Sequence, residues 1–63
     1  METIKIFEDL TEMGFKVAYV ENISNTIVLA EHYDDISAIE DYLKKNELNY
    51  AIINPAQEEV TNE

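Results

Sequence analysis

The spacing of the apolar residues changes several times within only 63 residues, and this change limits the fold more than any other feature. From residue 3 to residue 13 the apolar residues recur at helical spacing, and from residue 15 onward they alternate or run together as in strands. The helical spacing returns near residue 35. A chain this short supports only one core. We therefore predict a single compact α/β domain over residues 1–55 and a flexible acidic tail over residues 56–63.

The first helix is predicted over residues 3–13, with Thr3 as its N-terminal cap. Gly14 is the only glycine, and its position directly after this segment suits the left-handed residue that often ends a helix.

The second helix is predicted over about residues 35–46, because Ile36, Ile39 and Leu43 share one face. Asp34 or Asp35 is the expected N-terminal cap, and the lysines near the other end match the helix dipole. Asn46 is the expected C-terminal cap. The i,i+4 spacing also predicts two ion pairs on the outer face, Glu40 with Lys44 and Asp41 with Lys45.

Three strands are predicted, over residues 15–20, 26–31 and 48–53, with a hairpin turn at residues 21–25. The fold class is α+β, a two-layer α-β-β-α-β arrangement in which both helices pack on one face of a three-stranded mixed sheet. A right-handed crossover makes strand 3 parallel to strand 2. The nearly continuous apolar run of strand 2 favours a central position, whereas the pattern leaves open whether strand 3 lies beside strand 1 or strand 2.

The alternation in the first two strands predicts which sheet face is buried. We assign Phe15, Val17, Tyr19, Ile27 and Leu29 to the core. The opposite face, open to solvent or to a partner, is then formed by Lys16, Ala18, Val20, Val28 and Ala30.

Residue types exclude several chemistries. The chain has no Cys, which excludes disulfides, thiolate nucleophiles and Cys-ligated metals, and a single Gly excludes a glycine-rich phosphate loop. His32 is the only histidine, and its acidic neighbours Glu31, Asp34 and Asp35 lack the spacing of known metal sites. We therefore predict no enzymatic activity, no bound metal and no cofactor. The sequence contains no apolar run long enough for a membrane span and no secretory signal, so we expect a cytoplasmic protein.

Charge is the strongest functional signal. Fourteen acidic residues face four lysines and no arginine, which gives a formal net charge of −10. This excess disfavours direct contact with nucleic acid or anionic lipid and favours a basic protein partner. Closely spaced carboxylates on a helix can replace successive phosphates in a Lys/Arg-rich groove. The predicted partner-binding residues are Glu8, Asp9, Glu12, Glu31, Asp34, Asp35, Glu40 and Asp41.

In size and charge, although in no sequence motif, the chain is similar to the small acidic proteins by which phages block host defence nucleases. These include anti-CRISPR proteins and anti-restriction DNA mimics. The resemblance implies a non-enzymatic inhibitor or regulator that binds the basic surface of a nucleic-acid-binding protein. The alternative is a small interaction module or homodimer that associates through its open sheet face, with the acidic surface serving solubility. The sequence leaves the identity of the partner and the role of the tail open.

Overall fold

A computed structural model describes residues 2–56 of the chain. Its elements in chain order are α1 (Glu2–Glu12), β1 (Val17–Glu21), β2 (Thr26–Leu29), α2 (Ser37–Lys45) and β3 (Ala51–Ile53). The order α-β-β-α-β and the mixed three-stranded sheet confirm the predicted fold class. Most of the predicted acidic tail, residues 57–63, lies outside the described residues.

The sheet has the order β1-β2-β3. β1 pairs antiparallel with β2, and β2 pairs parallel with β3, as the crossover predicted. Strand 3 therefore lies beside strand 2, which leaves β1 and β3 as the edges. The central position of β2 accounts for its apolar composition, because both of its neighbours shield it.

The core lies between the sheet and the two helices. Both helices contribute buried residues to the cluster that also contains Val17 of β1 and two residues of β2. This shared cluster places α1 and α2 on the same side of the sheet. Its fully buried members are Ile6, Leu10, Ile27, Leu29 and Ile39. No polar or charged side chain is buried among residues 2–56.

Both helices end in the same hydrogen-bonded motif. After α1, the amide of Gly14 donates to the Thr11 carbonyl and the amide of Phe15 donates to the Leu10 carbonyl, with Gly14 at φ 103° as predicted. After α2, Glu47 takes the left-handed position at φ 57°, and the amide of Leu48 donates to the Leu43 carbonyl. This motif turns the chain sharply out of each helix toward the sheet.

The predicted helix starts were wrong by one or two residues. α1 begins at Glu2, so Thr3 lies inside the helix and does not cap it. α2 begins at Ser37 with Ile36 in the cap position, which forms no side-chain cap. Asp35 serves the helix start from one position further back, because its carboxylate accepts hydrogen bonds from the Ser37 amide at 3.0 Å and from the Ser37 hydroxyl at 2.7 Å.

The predicted division of the sheet faces was partly wrong because β1 contains an irregularity. Val17 is paired with Leu29, but Tyr19 is paired with Val28 and Val20 with Ile27, so the register shifts between Val17 and Tyr19. A bulge of this kind reverses which side chains face the core. Val20 therefore packs against the core, and Tyr19 lies on the open face with 55% of its surface exposed.

Candidate partner-binding surface

The eight predicted acidic residues fall into two groups. Four of them are exposed on the helices, and their side chains form no hydrogen bond or ion pair with any residue in the range 2–56; these are Glu8, Glu12, Glu40 and Asp41. In the second group, Asp9, Glu31 and Asp35 accept hydrogen bonds within the protein, and Asp34 lies 3.1 Å from Nε2 of His32 with its side chain 89% exposed. The structure thus separates four carboxylates that have no partner among residues 2–56 from four that contact other residues of the protein.

Asp9 connects the two helices. Its Oδ2 accepts a hydrogen bond of 2.6 Å from the Tyr42 hydroxyl of α2, and the Lys5 ammonium lies 3.2 Å from the same oxygen. This Lys5–Asp9 contact is the i,i+4 ion pair of α1. Within residues 2–56, neither of the two ion pairs predicted for α2 is formed, so Glu40 and Asp41 keep their charges exposed.

The contact between Asp9 and Tyr42 lowers the pKa of Asp9 and raises the pKa of Tyr42. The hydrogen bonds from Tyr42 and then Lys5 lower the pKa of Asp9 below its usual value of 3.8. Burial, followed by the hydrogen bond to Asp9 and the charges of Asp9 and Glu2, raises the pKa of Tyr42 to about 12. The stability that Asp9 contributes is therefore complete above pH 3.8 and is lost as the pH falls below it. The stability from Tyr42 is complete below pH 10 and is lost as the pH rises toward about 12.

We expect the Asp9→Asn substitution to lower the pKa of Tyr42 from about 12 while leaving it above the ordinary value of 10. The substitution removes the carboxylate charge, but burial, the largest cause of the shift, remains. The ring-carbon NMR shifts of Tyr42, followed as a function of pH, report this pKa. Glu8→Gln removes the same charge from the neighbouring position and should leave the pKa of Tyr42 unchanged. An equal effect of both variants would contradict a specific hydrogen bond.

The junction between β2 and α2 is consolidated by Tyr33. Its hydroxyl accepts a hydrogen bond from the Lys16 amide at 2.8 Å and donates one to Glu31 at 3.0 Å. Its ring packs edge-on against Phe15, with 4.9 Å between the ring centroids. Tyr33 therefore folds back onto the core rather than projecting as an exposed anchor beside the acidic residues.

The same junction holds the segment that follows β3. The Asn54 side-chain oxygen accepts a hydrogen bond from the Tyr33 amide at 3.0 Å, and its side-chain nitrogen donates one to the Tyr33 carbonyl at 2.7 Å. Nδ1 of His32 lies 2.7 Å from the Pro55 carbonyl, and its Nε2 lies 3.1 Å from the Asp34 carboxylate. Both partners of the ring are hydrogen-bond acceptors, so both contacts are hydrogen bonds only when the imidazole carries two protons. This role is structural, and within residues 2–56 no three potential ligands come together to hold a metal ion.

Apolar side chains are exposed next to the unengaged carboxylates of α1. Ile4 and Phe7 on α1 are 56% and 39% exposed, and they line a groove with Ala18, Tyr19 and Glu8. On the helical wheel Ile4 and Phe7 fall within the same half as Ile6 and Leu10. The apolar face of α1 is wider than the buried stripe formed by Ile6 and Leu10. This extra width is the feature of the sequence that could have predicted a second apolar surface on α1.

The described residues contain no helix long and apolar enough to cross a membrane. Comparison with known proteins gives no match, since no family model, no curated protein and no solved structure is significantly similar to this chain.

Proposed function

We propose that this protein is a non-enzymatic regulator that binds the basic surface of a nucleic-acid-binding protein, with helix-borne carboxylates in the place of phosphates. The observation that carries the proposal is the group of four exposed carboxylates on α1 and α2 that have no partner among residues 2–56. Both helices cover the same side of the sheet, with Glu8 near the β1 edge and Glu40 near the β3 edge. The specific form of the proposal is a phage-encoded mimic of nucleic acid that inhibits a host defence nuclease.

The geometry of the helices supports this proposal. Glu8 and Glu12 lie one turn apart, at about 5–6 Å between Cβ atoms, so a row of Lys or Arg side chains can contact both. Lys5, the only lysine of α1, pairs with Asp9 rather than with Glu8 or Glu12. The net charge of −10 also exceeds the magnitude of about 2–8 that serves solubility in a small domain. Such an excess of one sign accelerates encounter with a partner of the opposite sign.

A non-enzymatic role is part of the proposal, and the environment of two of the acids supports it. General acid catalysis by a carboxyl group requires its pKa to be raised toward neutrality, usually by burial. The pKa values of Asp9 and Asp35 are instead lowered by hydrogen bonds. In Asp35 the backbone amide of Ser37 has the largest effect, followed by the Ser37 hydroxyl.

We expect the quadruple variant E8Q/E12Q/E40Q/D41N to bind its partner at least about tenfold more weakly and with a shallower salt dependence. Each neutralised carboxylate removes one contact with a cationic side chain, and such contacts are screened by salt. The measurement is an affinity pull-down from host lysate at two salt concentrations, followed by binding curves with the retained protein. The control variant E47Q/E58Q/E59Q/E63Q removes the same number of charges from other positions. Equal weakening by both variants would show that the four helix carboxylates have no special role, and unchanged binding would refute the electrostatic proposal.

The second candidate function is association through the open sheet face. Tyr19 and Ile53 are 55% and 49% exposed there, and Val28 is half-buried between their strands. Apolar side chains grouped on an uncovered sheet face are typical of interaction surfaces. A partner retained equally at low and high salt, and lost when a charge replaces Ile53, would favour this function over the first.

A further inference from the structure

A groove runs between α1 and the outer edge of β1, with a volume of about 400 Å³. It is lined by Ile4, Phe7 and Glu8 of α1 and by Ala18, Tyr19 and Val20 of β1. Val20 packs toward the helices, whereas Tyr19 is paired with Val28 on the opposite face of the sheet. A groove that contacts both side chains must follow the edge of the strand itself.

This edge is open. β1 pairs only with β2, and no other strand among residues 2–56 adds to it. The backbone N–H and C=O groups of β1 that point away from β2 are therefore available to an additional strand. Extended peptides bind such edges through main-chain hydrogen bonds, while pockets beside the edge select their side chains.

The charge beside the groove identifies the kind of strand that fits. Glu8 lines the groove, and Glu12 lies next to it in a second depression that also includes Phe7 and Thr11. Both carboxylates are exposed and lack partners within the described residues, so the groove offers apolar contacts at one end and uncompensated negative charge at the other. A second copy of the chain would bring its own net charge of −10 to the contact and would be repelled.

We propose that the occupant is an extended segment of a partner protein in which Lys or Arg side chains accompany aliphatic or aromatic ones. The segment adds a strand to β1, places its apolar side chains against Ile4 and Phe7, and places its cationic side chains near Glu8 and Glu12. The dimensions agree, because α1 rises about 12 Å from Ile4 to Glu12 and about four residues of strand span that length. The inference rests on the proposed function in its choice of a basic partner.

The probe is the capped peptide acetyl-Lys-Thr-Leu-Thr-Val-Thr-Lys-amide, whose alternate residues place two apolar and two cationic side chains on one face. Its pattern suits either strand direction. We expect it to shift the backbone amide NMR signals of residues 3–8 and 17–21 in the full chain. Two peptides of the same sequence, one N-methylated at the threonines and the other at Leu and Val, keep every side chain and lose the main-chain donors on opposite edges. One of the two, according to the strand direction, should bind about tenfold more weakly. Replacing Leu and Val of the peptide by Ser should weaken binding to a similar degree.

A pair of variants separates the groove from nonspecific charge attraction. Ile4→Ser should lower the affinity for the peptide several-fold. Ile23→Ser, at a side chain that is 88% exposed in the β1–β2 turn, should leave the affinity unchanged. Absence of binding, shifts spread over α2, or insensitivity to both N-methylation and Ile4→Ser would each overturn the inference. Salt-sensitive retention of a basic lysate protein would still support the proposed function in that case, so the two failures are distinguishable.

Discussion

Replacing Ile27 by Ala is expected to lower the free energy of unfolding by about 2–5 kcal/mol. Ile27 has no exposed surface and lies on the central strand, in the same cluster as Ile6, Leu10 and Ile39. The truncation leaves a cavity that the surrounding side chains fill only in part. A domain of this length is stabilised by only about 3–9 kcal/mol in total, so Ile27→Ala should remove roughly half of the stability and lower the urea midpoint accordingly. Urea denaturation followed by far-UV circular dichroism measures this loss.

The matched control is Ile23→Ala. It removes the same atoms from a side chain that is 88% exposed, in the turn between β1 and β2. Its free energy of unfolding should change by about 0.5 kcal/mol or less. Similar losses in the two variants would mean that the apolar cluster around Ile27 is not the main source of stability.

The order and type of all five elements could be predicted from the spacing of apolar residues. Helical spacing and strand alternation differ strongly over segments of five or more residues, so α1, β1 and α2 are well separated in the sequence. β2 has four residues, and its prediction rested on a nearly continuous apolar run. β3 is short, with only Ala51–Ile53 in regular pairing, and its prediction rested on the run that ends before Asn54 and Pro55. The strand order could not be predicted, because the same pattern permits β3 beside either of the other strands.

The ends of the helices show where local signals are sufficient and where they are not. Gly14 was predicted as the left-handed residue, since glycine adopts positive φ without a steric penalty. Glu47 takes the equivalent position after α2, and nothing in its residue type indicates this. There the conformation follows from packing Leu48 against the core after the helix ends.

The candidate surface was predicted as a set of residues but not as an arrangement. Sequence spacing placed Asp9 on the outer face of α1 with Glu8 and Glu12, and it has no means of indicating a hydrogen bond to Tyr42, 33 positions away. That bond forms because both helices pack on the same side of the sheet. For the same reason the groove beside β1 was not predicted, since it exists only where α1 and the sheet edge meet.

The irregularity in β1 has the largest consequence for the sheet surface. Strict alternation assigns Tyr19 to the core and Val20 to the open face, and the shift in register reverses both assignments. An inserted residue of this kind leaves no mark in the apolar pattern here, because Val17, Ala18, Tyr19 and Val20 are all apolar. The two faces are therefore distinguished only by pairing with Val28 and Ile27 of β2.

This reversal predicts opposite effects of the same substitution at adjacent positions. Val20→Asp should lower the free energy of unfolding by about 2–3 kcal/mol, because it brings a carboxylate against the apolar core. Tyr19→Asp should cost about 1 kcal/mol or less, the usual penalty for Asp in a strand, because its side chain remains in solvent. Thermal unfolding followed by circular dichroism compares the two variants directly. A greater loss for Tyr19→Asp would restore strict alternation and place Tyr19 in the core. The expected order instead makes Tyr19→Asp a folded protein with a charged sheet face. Because Tyr19 also lines the groove beside α1, the same charge at Ile53, which is 49% exposed on the open face and outside that groove, is the variant that separates binding through the sheet face from binding through the acidic helices.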